Sequence, residues 1–254
     1  DDDDAGFTGI PGETLTVTES GTNKTFTVEL TSEPVSDVVL TVASDDHTVA
    51  IVSVTSPDTG EVLLTEPTDD VVLTFTHENW DDARTVTVAG VDDKIVQGDD
   101  GKTTSVTLTT VSSDLNYNAL AFDVNVDVSD NDDAGFTGIP GETLTVTESG
   151  PDATFTVGLN SQPTEAVVLT VSSTDETVAT VSSPSTLAFD QLNWSTPQEV
   201  ELEGFDDSIA QGVDGKTTSI MLTIATADPV YTLLTNPSVN VDVSDNDDAE
   251  FILS

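Results

Sequence analysis

The chain has 254 residues, with 48 Asp and Glu against 5 Lys and Arg, for a formal net charge of −43. Such a field repels nucleic acid and anionic membrane, and it attracts divalent cations or belongs to a surface adapted to salt. No cysteine is present, which excludes disulfides, thiolate zinc sites and cysteine nucleophiles. Hydrophobic residues make up 36% of the chain and alternate with polar ones. That pattern predicts a folded, half-buried sheet and not a disordered acidic chain. No apolar run approaches the ~18 residues of a membrane span. The opening Asp1–Asp4 has neither the basic nor the apolar region of a signal peptide, so none is expected here.

Read from the N-terminus, the first unit offers eight strand-like runs: Leu15–Glu19, Thr25–Leu30, Val38–Ala43, Val49–Val54, Val71–Phe75, Thr85–Val91, Ser105–Ser112 and Val124–Val128. Most alternate Val or Leu with Thr, as in Thr25-Phe26-Thr27-Val28-Glu29-Leu30. Gly, Pro, Asp, Ser and Asn separate them, and no stretch of ten or more residues has helical periodicity. The pattern then starts again. The segment 3–21, DDAGFTGIPGETLTVTESG, recurs at 132–150, an offset of 129. Further on the offset falls to 114, as Asn79-Trp80 becomes Asn193-Trp194 and Gly101-Lys102-Thr103 becomes Gly215-Lys216-Thr217. The first copy therefore carries 15 extra residues, placed near 51–74. We expect an all-β chain of two tandem immunoglobulin-like antiparallel sandwiches, 1–132 and 133–254, cut from a longer array. Trp80 and Trp194 are expected to pack.

The acidic residues cluster at equivalent places in both copies. Glu19 and Glu148 end the first strand, and Asp46 and Asp175 follow the third. The turn Gly90-Val91-Asp92-Asp93 recurs as Gly204-Phe205-Asp206-Asp207, and Asp100 recurs as Asp214. The last strand runs into Asp130-Asn131-Asp132, matched by Asp245-Asn246-Asp247. In a Greek-key sandwich, the end of the last strand and the turn after the sixth can share one pole. Carboxylates gathered there repel one another unless a hard cation sits between them. Calcium, with 6–8 oxygens at about 2.3–2.6 Å, suits loose carboxylate loops better than the stricter magnesium.

The ordered set of a Val-Thr-Glu-Ser-Gly strand, a Gly-Val-Asp-Asp loop and a terminal Ser-Asp-Asn-Asp resembles the Calx-beta family. It is also similar to tandem repeats of giant bacterial surface adhesins of the RTX type, and the resemblance runs over both copies. It implies Ca2+ as the cofactor. The implied ligands are Glu19, Asp46, Asp92, Asp93, Asp100, Asp130 and Asp132 in the first copy. In the second they are Glu148, Asp175, Asp206, Asp207, Asp214, Asp245 and Asp247. Gln97 and Gln211 stand where the family often has a further acid, and Asn131 and Asn246 interrupt the terminal cluster.

The expected function is that of a calcium-stiffened spacer in an extracellular, cell-surface bacterial adhesin. Its partners would be adjacent repeats of its own chain, it would be monomeric, and it would have no nucleic-acid partner and no membrane insertion. The alternative is a carbohydrate- or other ligand-binding module, for which the repeated Tyr117 and Tyr231 are the only tyrosines on offer. No enzyme is expected. His47 and His77 are replaced by Glu176 and Gln191 in the second copy, and no nucleophile motif or P-loop appears.

Overall fold

A computed structural model of the chain describes residues 4–55, 62–63, 70–98, 101–211 and 215–249. The chain divides into two compact units, one of residues Asp1–Asp93 and Gln97–Asn131 and the other of Lys94–Val96 and Asp132–Ser254. Both are built from strands. The first holds β1 (Phe7–Thr8), β2 (Leu15–Thr18), β3 (Lys24–Leu30), β4 (Val38–Ser44), β5 (Ala50–Thr55), β6 (Val62–Leu63), β7 (Val71–Phe75), β8 (Arg84–Gly90), β9 (Lys102–Ser112) and β10 (Ala121–Ser129). The second holds β11 (Phe136–Thr137), β12 (Leu144–Thr147), β13 (Ala153–Leu159), β14 (Val167–Ser173), β15 (Ala179–Ser183), β16 (Thr186–Phe189), β17 (Gln198–Gly204), β18 (Lys216–Thr226) and β19 (Ser238–Ser244). Among the described residues the only helix is a 3-10 turn at Tyr231–Leu233, and no helix is long and apolar enough to cross a membrane.

Each unit is an immunoglobulin-like sandwich of two sheets. In the first unit the sheet orders are β1-β3-β8-β5-β6 and β2-β10-β9-β4-β7. In the second they are β11-β13-β17-β15 and β12-β19-β18-β14-β16. The Val/Thr alternation produces this directly, because a period of two sends every second side chain to the same face. Val38, Leu40 and Val42 of β4 point inward, as do Phe26, Val28 and Leu30 of β3, and all six are buried. Trp80 and Trp194 are partly buried and pack against the two cores.

One pairing departs from the all-antiparallel expectation. β2 runs parallel to β10, from Leu15 opposite Val126 to Thr18 opposite Ser129. β12 runs parallel to β19 in the same way. The cause lies in the first strand, which changes sheets. Phe7–Thr8 pairs antiparallel with β3, and Leu15–Thr18 then joins the opposite sheet. Between them lie Gly9, at φ +83°, and Pro11, which has no N–H to donate. A Cβ at Gly9 would sit 2.3 Å from the Thr27 carbonyl oxygen, so the crossing requires glycine there.

Of the region 51–74 that holds the insertion, residues 51–55, 62–63 and 70–74 are described, and Val62–Leu63 pairs antiparallel with Val54–Thr55. Tyr117 and Tyr231 are fully buried. The Tyr231 hydroxyl donates to the Ser161 carbonyl at 2.8 Å and accepts from the Ser161 N–H at 3.2 Å. Tyr117 does the same at Ser32. These tyrosines are core anchors, which removes the sugar-platform role considered for them.

Candidate metal centre

The same alternation that fills the core delivers an acid into it. Val146 of β12 faces inward, so Glu148, two residues on, faces inward as well. Glu148 sits where the two sheets meet at one end of the sandwich. Its N–H donates to the Ser244 carbonyl at the end of β19 at 3.1 Å, and it forms a parallel bridge with Gly204 at the end of β17. A side chain at Gly204 would meet the Thr147 carbonyl at 3.0 Å, so the close approach needs the glycine. Glu148 is 2% exposed, and its Oε2 has no hydrogen-bond partner among the described residues. A buried carboxylate oxygen without a donor is costly to hold charged unless something else compensates it.

Two further carboxylates converge on it. One ligand oxygen each from Glu148, Asp207 and Asp247 lie within 4.8 Å of one another. The equivalent residues of the first copy are Glu19, Asp93 and Asp132. Two oxygens bound to one calcium at about 2.4 Å can be at most about 4.8 Å apart, so the group matches the span of a single ion. The donors are hard oxygens without sulfur or imidazole, a set suited to calcium, magnesium or manganese and not to zinc or copper.

The loop after β17 is shaped around this group. Asp207 Oδ1 accepts from the Ile209 N–H at 2.8 Å and from Gln211 Nε2 at 2.9 Å. The Gln211 N–H donates to Asp245 Oδ2, and Asp245 Oδ1 accepts from the Asp247 N–H at 2.8 Å. Asn246 donates through Nδ2 to the Glu148 carbonyl at 2.6 Å. The glutamine and asparagine that interrupt the acidic pattern are thus the pieces that tie loop, terminal cluster and first strand together. The first repeat repeats the arrangement: Gln97 Nε2 donates to Asp93 Oδ1 at 2.9 Å, and Asn131 Nδ2 to the Glu19 carbonyl at 2.7 Å.

Electrostatics follow the geometry. Burial, and then the charge of Asp207, push the Glu148 carboxyl above the usual glutamate range. Burial and the neighbouring Asp245 raise Asp247 as well. Asp207 is held below the usual range by its hydrogen bond from Lys216, whose ammonium is raised in return.

Of the sequence-derived ligands, Glu148, Asp207 and Asp247 are brought together, and Glu19, Asp93 and Asp132 are their equivalents in the first copy. Asp130 and Asp245 receive loop N–H groups beside them, Asp130 from Gln97 at 2.6 Å and Gly98 at 3.1 Å. Asp92 and Asp206 are exposed at the rim, and Asp92 lies 3.4 Å from Asn131 Nδ2. Asp46 and Asp175 stand outside the three-carboxylate groups. Each turns one oxygen back on its own loop, accepting from the hydroxyl and N–H of Thr48 or Thr177, and those bonds lower both carboxyls. Asp100 and Asp214 lie outside the described residues.

What the acidic pattern did not flag is a base. Lys216 pairs with Asp207, and Lys102 pairs with Asp93 and lies 3.8 Å from Glu19 Oε1. The signal was present in the sequence: Lys216 is the only Lys, Arg or His in residues 133–254.

No family model and no curated protein matches this sequence. Solved structures similar to it are distant. Titin domains z1z2, solved in complex with telethonin, share 13% identity over 96% of this chain and 98% of theirs, with a TM-score of 0.40. The calcium binding domain CBD12 of CALX1.1 shares 14% over 82% and 76%, with a TM-score of 0.34. Domains 4 and 5 of the S-layer protein SbsC share 19% over 62% and 69%, with a TM-score of 0.32.

Proposed function

We propose that each repeat is a calcium-binding spacer module of an extracellular bacterial adhesin, stiffened by Ca2+ at one pole. One observation carries the proposal: in the second repeat Glu148, at the end of β12, is buried with one carboxylate oxygen left without a donor among the described residues, and two loop carboxylates converge on it. An ion bound there joins three separate parts of the unit: the end of β12, the loop after β17 and the segment beyond β19. That last segment is also the one by which the chain leaves the unit. In the first repeat Asp132 is followed directly by Asp133-Ala134-Gly135, where the next copy opens. Calcium then orders the exit of each repeat, which is what a long extended array needs. The chemistry proposed is binding, not turnover.

Extracellular modules hold calcium at dissociation constants of about 10⁻⁴–10⁻³ M, which suits external fluids and not cytosol. The reading includes a monomeric chain whose partners are its own neighbouring repeats. A glycan-binding role has less to stand on, since both tyrosines are enclosed in the cores.

The test is equilibrium dialysis of the chain against calcium, with magnesium in tenfold excess as competitor. The expected result is saturable binding of at least one calcium per repeat that magnesium does not displace. Absence of saturable binding at ~10 mM calcium, about ten times the weakest expected constant, overturns the reading.

A further inference from the structure

The carboxylate group of the second repeat already contains a cation. Lys216 opens β18, and its ammonium is paired with Asp207, one of the three converging carboxylates. Its position is fixed by the backbone beside it. Gly215 stands at φ +56°, and a Cβ there would fall 2.0 Å from the Val243 carbonyl oxygen, so the chain enters β18 in one way only. The first repeat has the same pairing, Lys102 on Asp93 after Gly101 at φ +56°, and differs in a second base, Lys94, whose Nζ lies 3.8 Å from Asp132 Oδ1 where the second repeat has Ser208. Chance placement is a poor account. The chain has 5 Lys and Arg in all, and the single one in residues 133–254 sits in this cluster.

We infer that Lys102 and Lys216 are built-in counter-ions that share the cluster with the divalent cation and set how tightly it is held. This rests on the calcium reading above. Glu148, Asp207 and Asp247 carry three negative charges when ionised, and Lys216 cancels one of them. The remainder matches one divalent ion. An ammonium this close repels an incoming cation and occupies an Asp207 oxygen, so it weakens binding. Before the ion arrives it holds together carboxylates that would otherwise drive the pole apart. The lysine therefore trades calcium affinity for order in the ion-free state.

The test compares the full chain with the double variants K102Q/K216Q and K102R/K216R. Calcium affinity is read by equilibrium dialysis, and unfolding temperature is read in chelator and in saturating calcium. The Gln variant should bind calcium at least tenfold more tightly and melt earlier in chelator, so that calcium raises its melting temperature by a larger step. The Arg variant, which keeps the charge, should stay within threefold of the parent affinity. Equal losses of melting temperature in both conditions, with affinity unchanged or weaker, would make the lysines ordinary structural ion pairs and overturn the inference. If the parent and the Gln variant both fail to bind calcium, the metal centre itself falls, and this inference falls with it.

Discussion

Glu148 makes opposite contributions with and without an ion. Held charged in the metal-free unit, it is desolvated and faces Asp207 and Asp247, so it destabilises the fold. Glu148→Gln keeps the shape and removes the charge. In chelator the variant should melt higher than the parent, by roughly 4 °C or more, the shift that about 1 kcal/mol gives in a domain near 100 residues. In calcium it should lose most of the ion's stabilisation, so the order of the two melting curves reverses. The pH dependence carries the same sign. A carboxyl whose folded value is raised binds its proton more tightly in the native state, so metal-free stability falls as pH climbs from the ordinary glutamate value of 4.5 through the raised folded value. In Glu148→Gln that part of the slope should flatten in a chelator-buffered pH series. Asp228, at the other end of β18, works the other way. Burial pushes it up, but the N–H groups of Tyr231, Thr164 and Val230 and the Thr164 hydroxyl outweigh that and leave it lowered. Its contribution is present above the ordinary aspartate value of 3.8 and is lost as pH falls through the folded value.

At the scale of elements, the two ends of each sandwich are held by different means. One end carries the carboxylates and, on our reading, the ion. The other is closed by Asp228 and Tyr231, both fully buried. Asp228→Ala strips the acceptor from three backbone N–H groups, of which that of Tyr231 is buried, and should cost about 1–3 kcal/mol. Tyr231→Phe loses the bonds to Ser161 and should cost about 1–2 kcal/mol. Chemical denaturation in chelator and in calcium should give the same loss for each variant. A loss that depended on calcium would tie this end to the ion and contradict the division. The strands themselves were legible because Thr/Val alternation is a direct record of which face is buried. The run Val38–Ala43 corresponds to the strand Val38–Ser44, and Val71–Phe75 agrees at both ends. The two-residue strand at Phe7–Thr8 was not legible, since its role depends on a crossing between sheets and not on a period. The convergence of Glu148, Asp207 and Asp247 was legible only as recurrence of acids at loop ends. That Asp175 folds back on Thr177 depends on a turn geometry that spacing does not encode. Lys216 is invisible to acidic clustering, because a single base forms no cluster; its legible mark is the scarcity of bases in residues 133–254.

For the whole molecule the question is what the charge of −43 is for. Much of it lies on exposed surface, where repulsion is long-ranged and relaxed by any salt. The buried glutamates are a different matter, because ions that only screen do not reach a carboxylate that is 1–2% exposed. The account therefore predicts two separable responses to added salt. The most direct measurement is thermal unfolding of the chain in chelator, then across a calcium series, with sodium chloride of matched ionic strength beside it. The predicted result is a melting temperature that rises and saturates with calcium well beyond the sodium chloride control. Binding to the folded state alone contributes about 2.7 kcal/mol per site at a hundredfold excess over the dissociation constant. If sodium chloride raises the melting temperature as far as calcium does, the clusters are surface charge relieved by screening. The calcium centre would then be contradicted, and only the paired sandwiches would stand.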